Sequence, residues 1–223
     1  MQKKINVGVL ASGSGTDLQS IIDASENNMI DATVVLVISD KKDAFALQRA
    51  TKHGIASMFI DPVGKTKQQH EQMITKHMKQ YKVDLIVKAG YMRLLTKDFV
   101  DLWYGKLINI HPALLPSFKG VQGQQDAFDY GVKITGCTTH FTDEHMDHGP
   151  IILQAAVQVL GDDTKESVTT RILEVEHQIL PRTVQLFAQK RLQIQGRKVK
   201  ILPGDSWLEM YPVIPHVLYS EGY

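Results

Sequence analysis

The chain has 223 residues, 43% of them hydrophobic and 22% charged, with a net charge of +1 at pH 7. That length suits one generous domain, the composition excludes a disordered chain, and the charge balance gives no reason to expect a nucleic acid or a membrane surface as partner. A single cysteine, Cys137, excludes an intrachain disulfide framework and fits a reducing cytoplasm.

Residues 5–11 form an apolar, valine-containing run that breaks at Ser12-Gly13-Ser14-Gly15, after which Leu18, Ile21 and Ile22 recur at helical spacing. Residues 32–39 are continuous and β-branched, as in a strand buried on both faces. Asp43 is expected to cap a helix running to about residue 53, with Gly54 as its stop. A short strand at 56–60 precedes a polar helix over 66–81, which carries Met73, Ile74, Met78 and Tyr81 at roughly helical intervals. Strands at 85–88 and 106–110 flank a short helix near 97–103. Such alternation predicts an α/β, Rossmann-like fold: a mostly parallel twisted sheet with helices on both faces.

Beyond Pro112 the pattern changes. Runs at 134–141 and 151–159 are joined by a polar turn, so an antiparallel edge is expected after residue 134. A long helix over 165–190, kinked at Pro181, and a hairpin over 194–201 complete the domain, which is expected to span 1–202. Its halves, about 1–105 and about 106–202, are expected to meet where the alternating pattern ends. The tail 203–223, with Trp207, Tyr211, Tyr219 and Tyr223 among Pro212 and Pro215, shows no periodicity and is expected to pack irregularly on its own domain.

Three stretches carry chemistry. The turn Ser12-Gly13-Ser14-Gly15-Thr16-Asp17 exposes backbone N–H groups at a helix start, which suits a phosphate but equally describes an ordinary tight turn. It is no dinucleotide fingerprint, since Leu18 stands where the third glycine belongs, and no Walker loop. Asp17 would repel a phosphate unless it points away or caps the helix. On the strand at 106–110, Asn109 and His111 share one face at the carboxyl end, pairing an amide donor with an imidazole. A carboxylate reaching that histidine would complete a unit able to stabilise an oxyanion and move a proton. Segment 140–150 offers His140, His145, His148, Asp143, Glu144 and Asp147 in the turn between two strands. No cysteine pair or His-Glu-x-x-His supports a metal site, and no Gly-x-Ser-x-Gly supports a serine hydrolase. Cys137, mid-strand between Gly136 and Thr138, reads as a small buried hydrophobe.

Together, Gly13-Ser14-Gly15-Thr16-Asp17-Leu18-Gln19, Ala89-Gly90-Tyr91-Met92-Arg93-Leu94-Leu95, Asn109-Ile110-His111-Pro112-Ala113-Leu114-Leu115-Pro116 and Asp147-His148-Gly149-Pro150-Ile151-Ile152 resemble the phosphoribosylglycinamide formyltransferase family, over roughly residues 5–195. The resemblance implies transfer of the formyl group of 10-formyltetrahydrofolate to the amine of glycinamide ribonucleotide in purine biosynthesis, without a metal. It implies Asn109, His111 and Asp147 as the catalytic set, with Asp147 raising the pKa of His111. Gly15, Thr16, Asp17, Leu18, Gln19, Arg171 and Glu176 would contact the ribonucleotide; Lys67, Met92, Arg93, Leu94, Leu95 and Asn109 would contact the folate. The chain departs from the family at Lys67, where an arginine is usual, at Gln122, where a histidine is usual, and at Lys119, which replaces a proline; the Lys67 change is expected to weaken folate contacts. The sequence is expected to start at the catalytic domain and to be too short for a tRNA-binding domain, as a cytoplasmic monomer or homodimer. Rival expectations are a sugar-nucleotide amine formyltransferase, a formyltetrahydrofolate hydrolase, or a binding module without turnover.

Overall fold

The computed structural model describes residues 4–204, 214 and 216–223. One sheet runs through the molecule in the order β3-β2-β1-β4-β5-β6-β7-β9-β8, with a further short strand, β10, on β7. Its first five strands in the chain are β1 (Ile5–Leu10), β2 (Ala32–Ser39), β3 (Ala56–Phe59), β4 (Leu85–Lys88) and β5 (Leu107–His111), all paired in parallel. They are linked by α1 (Thr16–Glu26), α2 (Phe45–Lys52), α3 (Lys67–Gln80) and α4 (Lys97–Leu102). Helices cover both faces. On one, Leu18, Ile21, Ala46 and Ala50 from α1 and α2 meet Val168, Ile172 and Ile179 from the later long helix; on the other, Ile74 and Met78 from α3 meet Phe99 and Val100 from α4. Burial on both sides is why β1, β2 and β4 read as near-continuous apolar runs.

The expected antiparallel edge is in fact a block inside the sheet. Strands β6 (Ile134–Phe141) and β7 (Ile151–Gln158) pair antiparallel, and β6 also runs antiparallel to β5, so neither is an edge. The hairpin β8 (Leu192–Gln195) and β9 (Lys198–Ile201) closes that side. The long helix α6 (Lys165–Ala188) opens on a Thr164–Ser167 capping box and keeps Pro181 inside its length.

Three expectations need correction. Asp43 does not cap α2; the cap position is Ala44, which makes no side-chain bond, because the carboxylate sits one residue too early. Residues 123–130, where no element is expected from the sequence, form a helix, α5 (Gly123–Tyr130); only Ala127 and Phe128 pack there as apolar signal. Met73 is exposed, and the buried face of α3 is instead His70, Glu71, Ile74 and Met78. Of the tail, Trp207, Tyr211, Pro212 and Pro215 lie outside the described residues. The rest packs on its own domain: β10 (Leu218–Tyr219) pairs with β7, and the stacked Tyr219 and Tyr223 both donate to Gln178 Oε1, at 2.6 and 2.8 Å.

Candidate active site

The parallel strands end where the chain turns polar. After β1, Ser12-Gly13-Ser14-Gly15 leads into α1, with Gly15 at φ +69°. A Cβ there would lie 2.8 Å from that of Ala46, so the turn and α2 approach as only glycine allows. Ser12 Oγ donates to Asp40 (2.6 Å) and accepts from the Met92 N–H (3.0 Å), tying this turn to the Gly90–Leu95 loop. Arg49 donates to the Ser14 carbonyl (2.9 Å) and to Gln19 Oε1 (3.0 Å). A hollow beside the first turn of α1 is lined by Thr16, Gln19, Ser20, Arg49 and His177.

Asp17 does point away from this turn. It and Glu176 line a neighbouring cavity of about 180 Å³, between the Met92–Leu94 loop and the ends of β4 and β5. Asp17 Oδ1 is buried without a hydrogen-bond partner among the described residues, 3.9 Å from His177 Nε2. Burial pushes Asp17 up to about 6 and Glu176 well above the carboxylate range, and the second charge pushes Glu176 further. At neutral pH the pair is a strong attractor for a cation or a proton.

Asn109, His111 and Asp147 meet on the floor of the same cavity. Asp147, in left-handed backbone at φ +46°, places Oδ2 3.4 Å from His111 Nδ1 and 2.9 Å from the Gly120 N–H. Its Oδ1 accepts from Asn109 Nδ2 at 3.3 Å. Burial opposes ionisation of Asp147, but the bond with His140, the Gly120 N–H and the two imidazoles outweigh it and hold the carboxyl at about 2. His111 Nε2 donates to the Phe118 carbonyl (2.8 Å). Its pKa is lowered, not raised: burial outweighs the attraction of Asp147, and His140 and Lys88 push the same way as burial. This corrects the expectation drawn from the Asp147 charge alone.

Two residues of this cluster were not assigned to it from sequence: His140, read only as one of three histidines in a turn, and Lys88. His140 faces Asn109 across β5 and β6, with Nδ1 at 2.9 Å from the Phe141 carbonyl and Nε2 at 3.0 Å from Asn109 Nδ2. A carbonyl only accepts, so Nδ1 carries a proton, and Nε2 stands beside both the Asn109 amide and, at 3.8 Å, Asp147 Oδ1, which holds Asn109 with its Nδ2 turned toward Asp147. Lys88, the last residue of β4, lines the cavity from the other side of Asn109. A lysine ending an apolar strand was the available signal for it.

Other expected residues scatter. Met92, Arg93 and Leu94 line the cavity, whereas Leu95 is packed against the α3–α4 core and Lys67 is exposed on the first turn of α3. Leu18 is fully buried, so only its backbone is available to a ligand. Arg171 is held by Asp163 through two 2.8 Å contacts and by the Gln158 carbonyl, and it lines neither hollow. Gln122 and Lys119 are exposed, and Gln124 lines the cavity instead. Among the described residues, Asp143, His145 and His148 bring ligand-type atoms within 4.8 Å of one another, but Arg197 Nη1 already stands 3.2 Å from His148 Nδ1.

A doubly wound sheet with its polar cluster at the carboxyl ends of the strands, beside a glycine turn, defines an α/β enzyme acting on small molecules. The chain matches the formyl transferase family over residues 5–184 and belongs to it. It is 39% identical over 206 residues to phosphoribosylglycinamide formyltransferase from Escherichia coli (strain K12), covering 92% of this chain and 94% of that one. The trifunctional purine biosynthetic protein adenosine-3 of Drosophila melanogaster is 45% identical over 186 residues, 82% of this chain but only 14% of that protein. The crystal structure of glycinamide ribonucleotide transformylase 1 from Symbiobacterium toebii superposes with a TM-score of 0.88 at 44% identity, covering 91% of this chain and 96% of that one.

Proposed function

We propose that this protein transfers the formyl group of 10-formyltetrahydrofolate to the amine of glycinamide ribonucleotide, by direct attack and through a tetrahedral intermediate. The observation that carries the reading is the convergence of Asn109, His111 and Asp147 on one cavity, between an acid pair on one side and the Met92–Leu94 loop on the other. Asn109 donates to the oxyanion. It does so by giving up the longer of its two contacts, the 3.3 Å bond to Asp147, while His140 keeps the other N–H. His111, neutral in the free protein with its proton on Nε2, takes the proton of the attacking amine at Nδ1 and returns it to the leaving nitrogen, and Asp147, 3.4 Å from Nδ1, supports the charged form in between.

In this reading the ribonucleotide lies along Gly15, Thr16, Asp17 and Gln19, with backbone contact at Leu18 and its amine drawn toward Asp17 and Glu176. Arg171 acts only by holding Asp163 and the start of α6. The folate lies against Met92, Arg93, Leu94 and Asn109; Leu95 and Lys67 shape the approach to that pocket. Catalysis needs no metal. Residues 1–202 work as one formyltransferase domain, with ribonucleotide contacts mostly before residue 105 and chemistry mostly after it, in a cytoplasmic monomer or homodimer. None of the described helices is long and apolar enough to cross a membrane.

The test is a spectrophotometric assay of formyl transfer with both substrates, run with and without the ribonucleotide. Folate turnover that requires glycinamide ribonucleotide supports the reading. Release of formate at the same rate in its absence replaces it with a hydrolase.

A further inference from the structure

Lys88, Asn109 and His140 form a row across three adjacent strands. Lys88 pairs in register with Asn109, and Asn109 with His140. Register partners on neighbouring strands present their side chains to the same face, and for Asn109 that face is the floor of the cavity. Lys88 lines the same cavity, flanked in sequence by the buried Val87 and Ala89. Its ammonium makes no hydrogen bond or ion pair with any described residue, and Asp147 is the one charge that supports it. Lys88 is half-buried, and an ammonium stripped of part of its water is costly to hold unless something anionic meets it. A methionine or leucine would fill the same space without that cost.

The reaction proposed above creates such an anion. When the amine nitrogen adds to the formyl carbon, the carbonyl π pair moves onto oxygen as O⁻. When that oxygen re-forms its double bond, the bond from carbon to the folate nitrogen breaks and its electron pair takes the proton carried by His111. A neutral His111 supplies no positive charge at the start of this step, and the Asp147 carboxylate repels the developing oxyanion.

We propose that Lys88 is a further substrate-facing residue, whose ammonium supplies the positive charge beside Asn109 where the formyl oxygen becomes anionic. Lys88 exchanges no atoms with the substrates; it acts as a fixed counter-charge. The inference rests on the formyl-transfer reading. The other charged and titratable groups around the cavity are Asp17, Glu176, Tyr91, Arg93, His111, His140 and Asp147. Lys88 also bears on His111, whose protonation its charge opposes.

The experiment takes Lys88→Met and Lys88→Arg through two readouts. In the transfer assay, Lys88→Met is expected to lower kcat at least tenfold with both KM values within threefold, and Lys88→Arg to recover part of the loss. In the ligand-free protein, an NMR titration of the His111 ring is expected to show a higher pKa in Lys88→Met than in wild type and no such rise in Lys88→Arg. Circular dichroism of each variant separates these effects from misfolding, and Lys88→Gln, which also removes the charge, takes the place of Lys88→Met if that variant is unfolded. A kcat within twofold of wild type in Lys88→Met, or a loss carried wholly by KM, overturns the proposal. If wild type transfers no formyl group to the ribonucleotide, the formyl-transfer reading falls with it, and an unmoved His111 titration separately removes Lys88 from the electrostatics of the site.

Discussion

Asp17 and Asp147 are both aspartates at the edge of one cavity, and their surroundings drive them in opposite directions. Asp147 gains a backbone N–H and two imidazoles; Asp17 is buried, and its charge in turn raises Glu176 beside it. The consequences for stability have opposite signs. A carboxyl held at about 2, below its unfolded value of 3.8, stabilises above pH 4, and that contribution is lost as pH falls toward 2. His111, lowered in the fold, adds a loss that begins as pH drops through its unfolded value of about 6.5. A carboxyl raised to about 6 stabilises below 3.8 and loses that contribution as pH rises through 6. Asp17→Asn is therefore expected to be more stable than wild type at pH 7.5, by on the order of 1–3 kcal/mol, and nearly equal to it at pH 4. Urea denaturation at the two pH values checks this; equal gaps at both would mean that the buried charge of Asp17 is compensated. In catalysis, Asn109→Ala is expected to lose about 10²–10³ in kcat, the usual effect of removing one oxyanion donor. Asp147→Asn should lower turnover far more than ribonucleotide affinity, and near-normal kcat in that variant would remove Asp147 from the mechanism.

Elements deliver these residues, and their packing tolerances set what can change. At the start of α5, a Cβ on Gly123 would sit 2.5 Å from the Phe118 carbonyl oxygen and 2.9 Å from His111 Nε2. Either the loop or the imidazole must yield, so Gly123→Ala is expected to lower kcat at least tenfold in a protein that still folds. Wild-type kcat with an unchanged His111 titration would show that the loop absorbs the methyl group. On the far side of the sheet from the α1–α6 layer, Thr66 caps α3 in a capping box with Gln69, and Thr66→Ala should cost about 1 kcal/mol by denaturation without touching kcat. The elements legible from sequence were those with a continuous apolar run or a helical period: β2, β4 and β6 among the strands and α3 and α6 among the helices stand close to their expected bounds. Helix α5 was not legible because its sequence, Gly-Gln-Gln-Asp-Ala-Phe-Asp-Tyr, offers two glutamines and two aspartates to solvent and few apolar positions to show a period.

At the scale of the whole molecule, the cavity exists because β5 is central. Parallel β4 on one side and antiparallel β6 on the other bring Lys88 and His140 beside Asn109, although 21 and 31 residues separate them from it in the chain. Rigidity of this floor depends on the core behind it, where Ile172 of α6 is fully buried. Ile172→Ala is expected to cost about 2–5 kcal/mol in urea denaturation, and a cost below 1 kcal/mol would mean that the α1–α6 layer relaxes around the void.

By itself the sequence determined the alternating α/β architecture, the glycine turn after β1, and the placing of Asn109 and His111 on one face of a strand end. Those are consequences of local periodicity and backbone geometry, which a chain carries at short range. Only the tertiary structure decided that Asp147 reaches His111, that Asp17 turns to Glu176, that Arg171 is spent on Asp163, and that His111 is held neutral. Each of these is settled by contacts between distant segments and by how much water they exclude, and desolvation is a property of the folded assembly that no stretch of residues possesses alone.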